Sequence, residues 1–354
     1  MGERALASVK EITDIKPIAG ADRIEVATIG NGWEVVVRKD EFKPGDWCVY
    51  HEIDSVLPVG IEAYDFLTKG KKPYRLRTAR LRGQISQGLA LPLSAFKASE
   101  IPTQAHLSLD SDLTDTLGVE LYEEPLPKEL ENVAKGRFPY FIIMNQPQRI
   151  QNCANKVLSK PNERYEITKK YDGSYLAIWN YDGDIGFATK RVAYDATVPS
   201  IYRDTLEKTG WLKAVEHEFA RNLAFIGEIA GPGIQRNRLG LPELDFFVFD
   251  VFDIERQRYY FHRDRMNILL SLADKVGNGF NPNHIPVVDF YAGIVDYGIE
   301  NTVGFLDWVD TLAKELHTGE DGKIMLEGVV FKSLSDENFR FKVVSNQYLL
   351  DHGL

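Results

Sequence analysis

The chain has 354 residues and a mass of 40.2 kDa, more than one small core needs and suited to two domains. Hydrophobic residues make up 44% and charged residues 27%, with no apolar run of about 18 residues for a membrane span and no apolar core in the opening MGERALASVK for a secretory signal. The net charge of −10, with a pI of about 5.3, excludes a protein that merely coats nucleic acid.

Residues 1 to about 100 read as short strands with frequent turn signals, such as IEVATIGNGWEVVVRK around Gly30-Asn31-Gly32 and DWCVYHEI after Pro44-Gly45. Strands so short and evenly spaced predict a small closed barrel. From Phe66 to Lys97 there is no acidic residue, whereas Lys69, Lys71, Lys72, Arg75, Arg77, Arg80 and Arg82 crowd together. Alternation in YRLRTARLRG sets Arg75 and Arg77 on one strand face and Leu76 on the other. A barrel with one basic face suits a phosphate backbone, so Lys71, Lys72, Arg75, Arg77, Arg80 and Arg82 are the candidate contacts. The competing explanation is a solvated surface strand. Acids dominate from Asp110 to Glu131, and Leu109–Gly136 reads as an acidic connector.

After the connector the pattern changes. RIQNCANKVL (149–158) is helical and Pro161 stops it. SYLAIWN and DIGFATK predict a hairpin about Asp182-Gly183, with further strands at LAFIGEIA, DFFVFDVF and GVVFKSL and helices over roughly 200–220, 264–275 and 301–317.

Lys170-Tyr171-Asp172-Gly173 enters that hairpin. Background frequencies place a KxDG string in roughly one chain of this length in ten, so the letters alone carry little. Position carries more, because folding about Asp182-Gly183 sets Arg191 roughly opposite Ser174 and so beside the lysine. A lysine amine attacks phosphorus only when neutral, and its ordinary pKa is about 10.4. A neighbouring arginine and a divalent cation would favour the neutral form by repulsion and steady phosphate oxygens under attack. Farther on, GEIAGPGIQ puts Glu228 at a strand end before a Gly/Pro turn, where a plain surface acid is the alternative. DFFVFDVF sets Phe247 and Phe249 on one face and Phe246 and Phe252 on the other; most should be core, but one ring could stack on a purine. LEGVVFK opens an apolar strand with Glu327 and closes it with Lys332, and FRFKV carries Arg340 and Lys342 on one face.

The ordered set KYDG, ATKR, GEIAGPGIQ, FFVFD, LEGVVFK and FRFK, spanning about 149–344, resembles the covalent nucleotidyltransferases, the ATP-dependent ligases and GTP-dependent capping enzymes. GEIAGPGIQ and Phe249-Asp250 look most like the RNA-sealing branch that repairs duplex RNA nicks. The resemblance implies an ATP-dependent RNA ligase in which Lys170 becomes lysyl-AMP. AMP then passes to an RNA 5′-phosphate, and a 3′-OH closes the phosphodiester. It gives Asp172, Glu228 and Glu327 to Mg²⁺ or Mn²⁺, directly or through water, and Arg191 to phosphate. Glu228 would also meet the ribose, Phe249 the adenine, and Lys332 and Lys342 the α-phosphate. Gly173 and Arg340 complete the nucleotide contacts, with Arg149 on the departing pyrophosphate.

The implied fold is α+β, a nucleotidyltransferase of ATP-grasp-like antiparallel sheets with flanking helices behind an OB-type barrel. The expected division is 1–108 for the barrel, 109–136 for the linker and 137–354 for the nucleotidyltransferase. Two features depart from the wider pattern. The final motif has Arg340 and Lys342 where paired lysines are common, and too few residues follow it for a trailing OB domain. A barrel in front instead matches RNA ligases of the amoeboflagellate type. A capping guanylyltransferase, a DNA ligase and a non-catalytic RNA-binding protein are the alternatives. The last predicts damage to the key set, yet Lys170, Glu228 and Glu327 are intact. Cys48 and Cys153 read as free thiols of an intracellular, reducing compartment, the seven histidines show no ligand spacing, and a monomer acting on RNA without a membrane is expected.

Overall fold

The computed structural model describes residues 5–122, 134–217, 221–277, 279–315 and 326–352. Residues 123–133 of the expected connector, and the ends of two expected helices at 218–220 and 316–317, lie outside the described residues.

The chain divides into two compact units, one of Met1–Pro125 with Asn346–Leu354 and one of Leu126–Ser345. The first is the expected all-β barrel. Its strands are β1 (Ala7–Pro17), β2 (Ile24–Ile29), β3 (Trp33–Arg38), β4 (Trp47–His51), β5 (Ser55–Leu57), β6 (Tyr74–Arg75), β7 (Thr78–Leu81), β8 (Gln84–Gln87), β9 (Leu89–Pro92) and β10 (Glu120–Leu121). The main sheet runs β3-β2-β1-β4-β9, with β10-β5-β6 and the β7-β8 hairpin completing the unit. β2 and β3 pair from Ile24↔Arg38 to Ile29↔Trp33, so the glycine turn sits where the sequence sets it. The boundary expected at 108 moves outward. Leu113, Leu117 and Val119 are buried in the barrel core, and Glu120 pairs with Val56. Acidic side chains had disguised a segment whose apolar residues are core. Residues after 345 also leave the second unit: the helix Asn346–His352 buries Tyr348 and Leu349 and packs on β7.

The second unit contains β11 (Ala134–Arg137), β12 (Gln148–Arg149), β13 (Tyr165–Lys170), β14 (Ser174–Tyr181), β15 (Asp184–Ala188), β16 (Val192–Tyr194), β17 (Leu223–Ala230), β18 (Asp245–Asp253), β19 (Arg258–Tyr259), β20 (Val287–Ala292), β21 (Gly328–Ser333) and β22 (Arg340–Val344). They form a seven-stranded sheet, β11-β16-β15-β14-β17-β18-β19, and a five-stranded sheet, β12-β22-β21-β13-β20. Among the described residues these strands pair with one another antiparallel except in the short parallel β12-β22 contact, and Val248 makes an isolated parallel bridge to His284. Asp182 (φ 51°) and Gly183 (φ 83°) make the β14-β15 turn, whose left-handed residues suit the twist of the flanking strands.

Each sheet has its own helical cover. Helices Ile201–Lys208, Trp211–Glu216 and His262–Val276 bury Leu206, Trp211 and Leu269 against one face of the large sheet. The expected single helix over 200–220 is split at Gly210, whose φ of 82° does not continue a helix. Helices Ile150–Leu158 and Thr302–Glu315 cover the small sheet through Val157, Phe305 and Val309. β14 and β17 are buried almost throughout, which is why SYLAIWNY and LAFIGEIA are nearly continuous apolar runs.

Candidate active site

Lys170-Tyr171-Asp172-Gly173 is the short crossing from β13 of the small sheet to β14 of the large one. Register sets Lys170 beside Gly328, at the start of β21, and therefore beside Glu327. Lys170 Nζ donates to Glu327 Oε2 at 2.6 Å. Ser174 and Tyr175 pair with Ile229 and Glu228, so the turn delivers the lysine next to a second carboxylate. Gly173 permits this approach: a Cβ there would stand 2.5 Å from Ile229 O and 2.7 Å from Glu228 Cγ.

The large sheet supplies the facing wall. β18 slips register against β17 between Ile226 and Gly227. One extra residue on β18 reverses the alternation beyond it. Phe246, Val248 and Val251 consequently lie in the core under the helices, whereas Phe252 joins Tyr175, Trp179 and Ile226 on the opposite face. The expectation that Phe246 and Phe252 share a face fails for that reason. The slip also brings Phe249 to the cleft, with Asp250 buried beside it. Lys332 Nζ donates to Phe249 O and, at 3.0 Å, to Asp250 Oδ1, while Arg340 donates to Asp250 Oδ2. Lys332 Nζ also lies 5.4 Å from the centre of the Phe249 ring.

Between these walls is an open cleft lined by Lys170, Lys190, Glu228, Phe249, Lys332 and Lys342 among others. Its electrostatics are polarised. Burial pushes Lys170 down, but the carboxylates of Glu327, Glu228 and Asp172 outweigh it and hold its pKa above the ordinary value. That reverses the expected repulsion, leaving Lys170 a paired ammonium. Burial pushes the Glu228 carboxyl up to about 7, against the pull of Lys170 and Lys190. Burial takes Lys332 down to about 8, and Lys342 falls well below its ordinary value through burial and repulsion from Arg149, Lys170 and Lys190. Arg149 is in direct register with Lys342. Lysines and arginines gathered at one cleft are a ready receptor for polyphosphate.

The oxygen donors Asp172, Glu228 and Glu327 suit a hard divalent cation. Among the described residues no group of three or more His, Cys, Asp or Glu converges tightly enough to hold a bare ion. Asp172 is already bound to Arg238, and Glu327 to Lys170. These three carboxylates are the residues that would hold such a cation.

A family described as RNA ligase matches residues 163–344, and one described as an OB-fold domain matches 6–93. A comparison with curated proteins gives no match. Among solved structures, an apo mutant of the Naegleria gruberi RNA ligase is 32% identical, with a TM-score of 0.82 over 98% of each chain. A mutant of it with AMP and Mn gives 33% and 0.82 over 98% of each chain, and the ligase with PPi gives 32% and 0.82 over 99% of each. The chain belongs to the RNA ligase family.

Most residues expected to serve this RNA ligase converge on the cleft: Lys170, Gly173, Glu228, Phe249, Glu327, Lys332 and Lys342 meet there, with Asp172 in the crossing turn and Arg149 beside Lys342. Two differ. Arg340 also borders the cleft, but its guanidinium is committed to Asp250, so Lys342 is the freer cation of that pair. Arg191 does not line the cleft, and its neighbour Lys190 does, 6.0 Å over the Tyr175 ring. Lys190 lies in the bend after β15 ends at Ala188, so strand alternation does not reach it. No signal in the sequence pointed to Arg238.

The barrel's basic residues also separate. Arg75 is half-buried, bound to Asp54 at 2.6 Å and stacked 3.7 Å over Tyr122. Arg75 and Arg77 do not share a strand because β6 ends at Arg75. Lys71, Lys72, Arg77, Arg80 and Arg82 are exposed.

Glu228 makes a pH test. Its folded pKa of about 7 exceeds the ordinary 4.5, so folding retains a proton that the unfolded chain has lost between those values. Stability from this group is complete below about 4.5 and is lost as pH rises through about 7. Glu228→Gln is expected to raise the melting temperature above pH 7 by about 2–4 °C, with no gain below pH 4.5. Melting curves across that range check it, and an equal gain at both ends would refute the assignment.

Proposed function

We propose that this RNA ligase consumes ATP and carries AMP on Lys170 as a phosphoramidate. It then seals 3′-OH to 5′-phosphate RNA ends, with nicks in duplex RNA as the favoured substrate. The observation that carries the reading is the Lys170 amine, 2.6 Å from Glu327 and sharing one cleft with Lys190, Lys332 and Lys342. Structures of the Naegleria gruberi RNA ligase with ATP and Mn, AMP and Mn, and PPi support it.

Lys170 gives up a proton, for which Glu327 Oε2 is the adjacent acceptor, and its lone pair attacks the α-phosphorus. The N–P bond forms as the bond to the β-phosphate oxygen breaks, and pyrophosphate leaves past Arg149. Phe249 stacks on adenine, Glu228 meets the ribose, and Lys332 and Lys342 hold the α-phosphate. Asp172, Glu228 and Glu327 would hold a divalent cation through water, and that cation would supply neutralisation of the developing phosphate charge. AMP passes to the 5′-phosphate, and the 3′-OH then displaces it. Buried free thiols at Cys48 and Cys153 support a reducing, intracellular setting.

Incubation with α-labelled ATP or GTP and a divalent metal, followed by denaturation, tests the nucleotide. Label is expected from ATP alone. Retention from GTP instead would move the chain to capping chemistry. Nicked duplexes with an RNA or a DNA 3′-OH strand then test the substrate.

The exposed Arg77 and Arg80 give a separable prediction. Replacing both by alanine is expected to weaken sealing, leave label transfer intact, and lower the salt dependence of RNA binding by about 0.7–0.9 per lost phosphate contact. Loss of labelling in parallel would remove the barrel from RNA gripping.

A further inference from the structure

The loop after β17 is built to hold one arginine. Gln235, Arg236 and Asn237 have φ of 43°, 58° and 49°, three successive left-handed residues of which none is glycine. Such conformations persist only where surroundings enforce them, and they gather at functional sites. Here the enforcement is visible. Asn237 Nδ2 donates to Leu241 O at 2.8 Å, and Leu241 N donates to Asn237 Oδ1 at 3.0 Å. At the loop's base, a Cβ on Gly231 would lie 2.5 Å from Glu243 O, so that crossing admits only glycine. Leu239 is buried next in sequence. The residue so fixed, Arg238, donates Nη1 to Asp172 Oδ2, and both side chains are only 13% exposed.

We infer that Arg238 is a positioning residue for the joining reaction, aiming the Asp172 carboxylate and keeping it off the attacking lysine. A guanidinium is planar and permanently charged, so pinning one carboxylate oxygen fixes the direction of the other. Asp172 stands two residues from Lys170. Without its cation it would turn toward the Lys170 ammonium and compete with Glu327 for it. A lysine at 238 would supply charge without the plane.

The inference rests on the proposed self-adenylation, and its test separates the two. Label transfer from α-labelled ATP is timed in single turnover across a Mg²⁺ series for wild type, Arg238→Ala, Arg238→Lys, Asp172→Asn and the Arg238→Ala/Asp172→Asn double variant. Mn²⁺ binding to Lys170→Ala protein with ATP, with and without Arg238→Ala, is read from the EPR signal of the free ion. Arg238→Ala is expected to slow labelling about 10–100-fold and to weaken Mn²⁺ binding. Arg238→Lys should recover part of the rate, and the double variant should be no slower than Asp172→Asn. Additive losses in the double variant, full wild-type rate in Arg238→Ala, or unchanged Mn²⁺ binding would overturn it. Should Arg238→Ala fail to fold, Arg238→Lys decides: intermediate rates uphold the inference and wild-type rates end it. A wild-type protein that takes no label would instead end the proposed function.

Discussion

Lys170→Ala protein is expected to take no label from α-labelled ATP, a loss on the order of 10⁴-fold or more, because the Lys170 amine is the proposed nitrogen of the N–P bond. The informative companion is Lys170→Arg. Arginine keeps a cation beside Glu327, so the pair at 2.6 Å has a counterpart, yet a guanidinium cannot be deprotonated in a protein. If charge alone were needed, the arginine variant would retain activity. If a lone pair is needed, both variants are inert. Sealing of a nick whose 5′-phosphate already carries AMP bypasses the lysine's covalent role, and Lys170→Ala is expected to retain some of it. That arm distinguishes a missing nucleophile from a collapsed site. Label on Lys170→Ala protein would end the assignment.

The sequence was most readable where local rules decide position. Asp182-Gly183 set the β14-β15 register, whereas Ser174 and Tyr175 meet Ile229 and Glu228 through the separate pairing of β14 with β17. LEGVVFK placed Glu327 and Lys332 at opposite ends of one strand, and pairing with β13 brings the first to Lys170 and the second to Glu166. What stayed hidden depends on distant or irregular structure. The slip in β18 changes the face of Phe252, and period-two reasoning has no term for an inserted residue. Arg238 meets Asp172 across 66 positions of sequence, from a loop whose composition marks only a turn. Arg75 looked like its basic neighbours until Asp54 and Tyr122 closed around it. The helix Asn346–His352 belongs with the barrel although it directly follows β22: it packs on β7 and buries Tyr348 and Leu349.

The second large effect concerns Asp250. Its side chain is 2% exposed and accepts from Lys332 and Arg340, themselves 9% and 4% exposed, so one carboxylate on the large sheet neutralises two cations on the small one. Asp250→Ala removes the anion and leaves both cations inside. Breaking one partner of a buried ion pair typically costs about 3–5 kcal/mol, since the desolvation of the remaining charge is no longer offset. Asp250→Asn should cost less, because an amide still accepts a hydrogen bond. The deficit should also depend on pH. Burial already holds Lys332 at about 8, below the ordinary 10.5, so this group's folded form sheds its proton first and its stability cost is relieved as pH rises from about 8 towards 10.5. Without Asp250 the folded pKa falls further and relief begins at lower pH. Urea unfolding of Asp250→Ala at pH 7 and pH 9 is therefore expected to show a large loss at the first and a smaller one at the second. An unchanged midpoint at pH 7 would mean that the two sheets do not depend on this pair, and a deficit that grows with pH would show that Lys332 is not the charge left stranded.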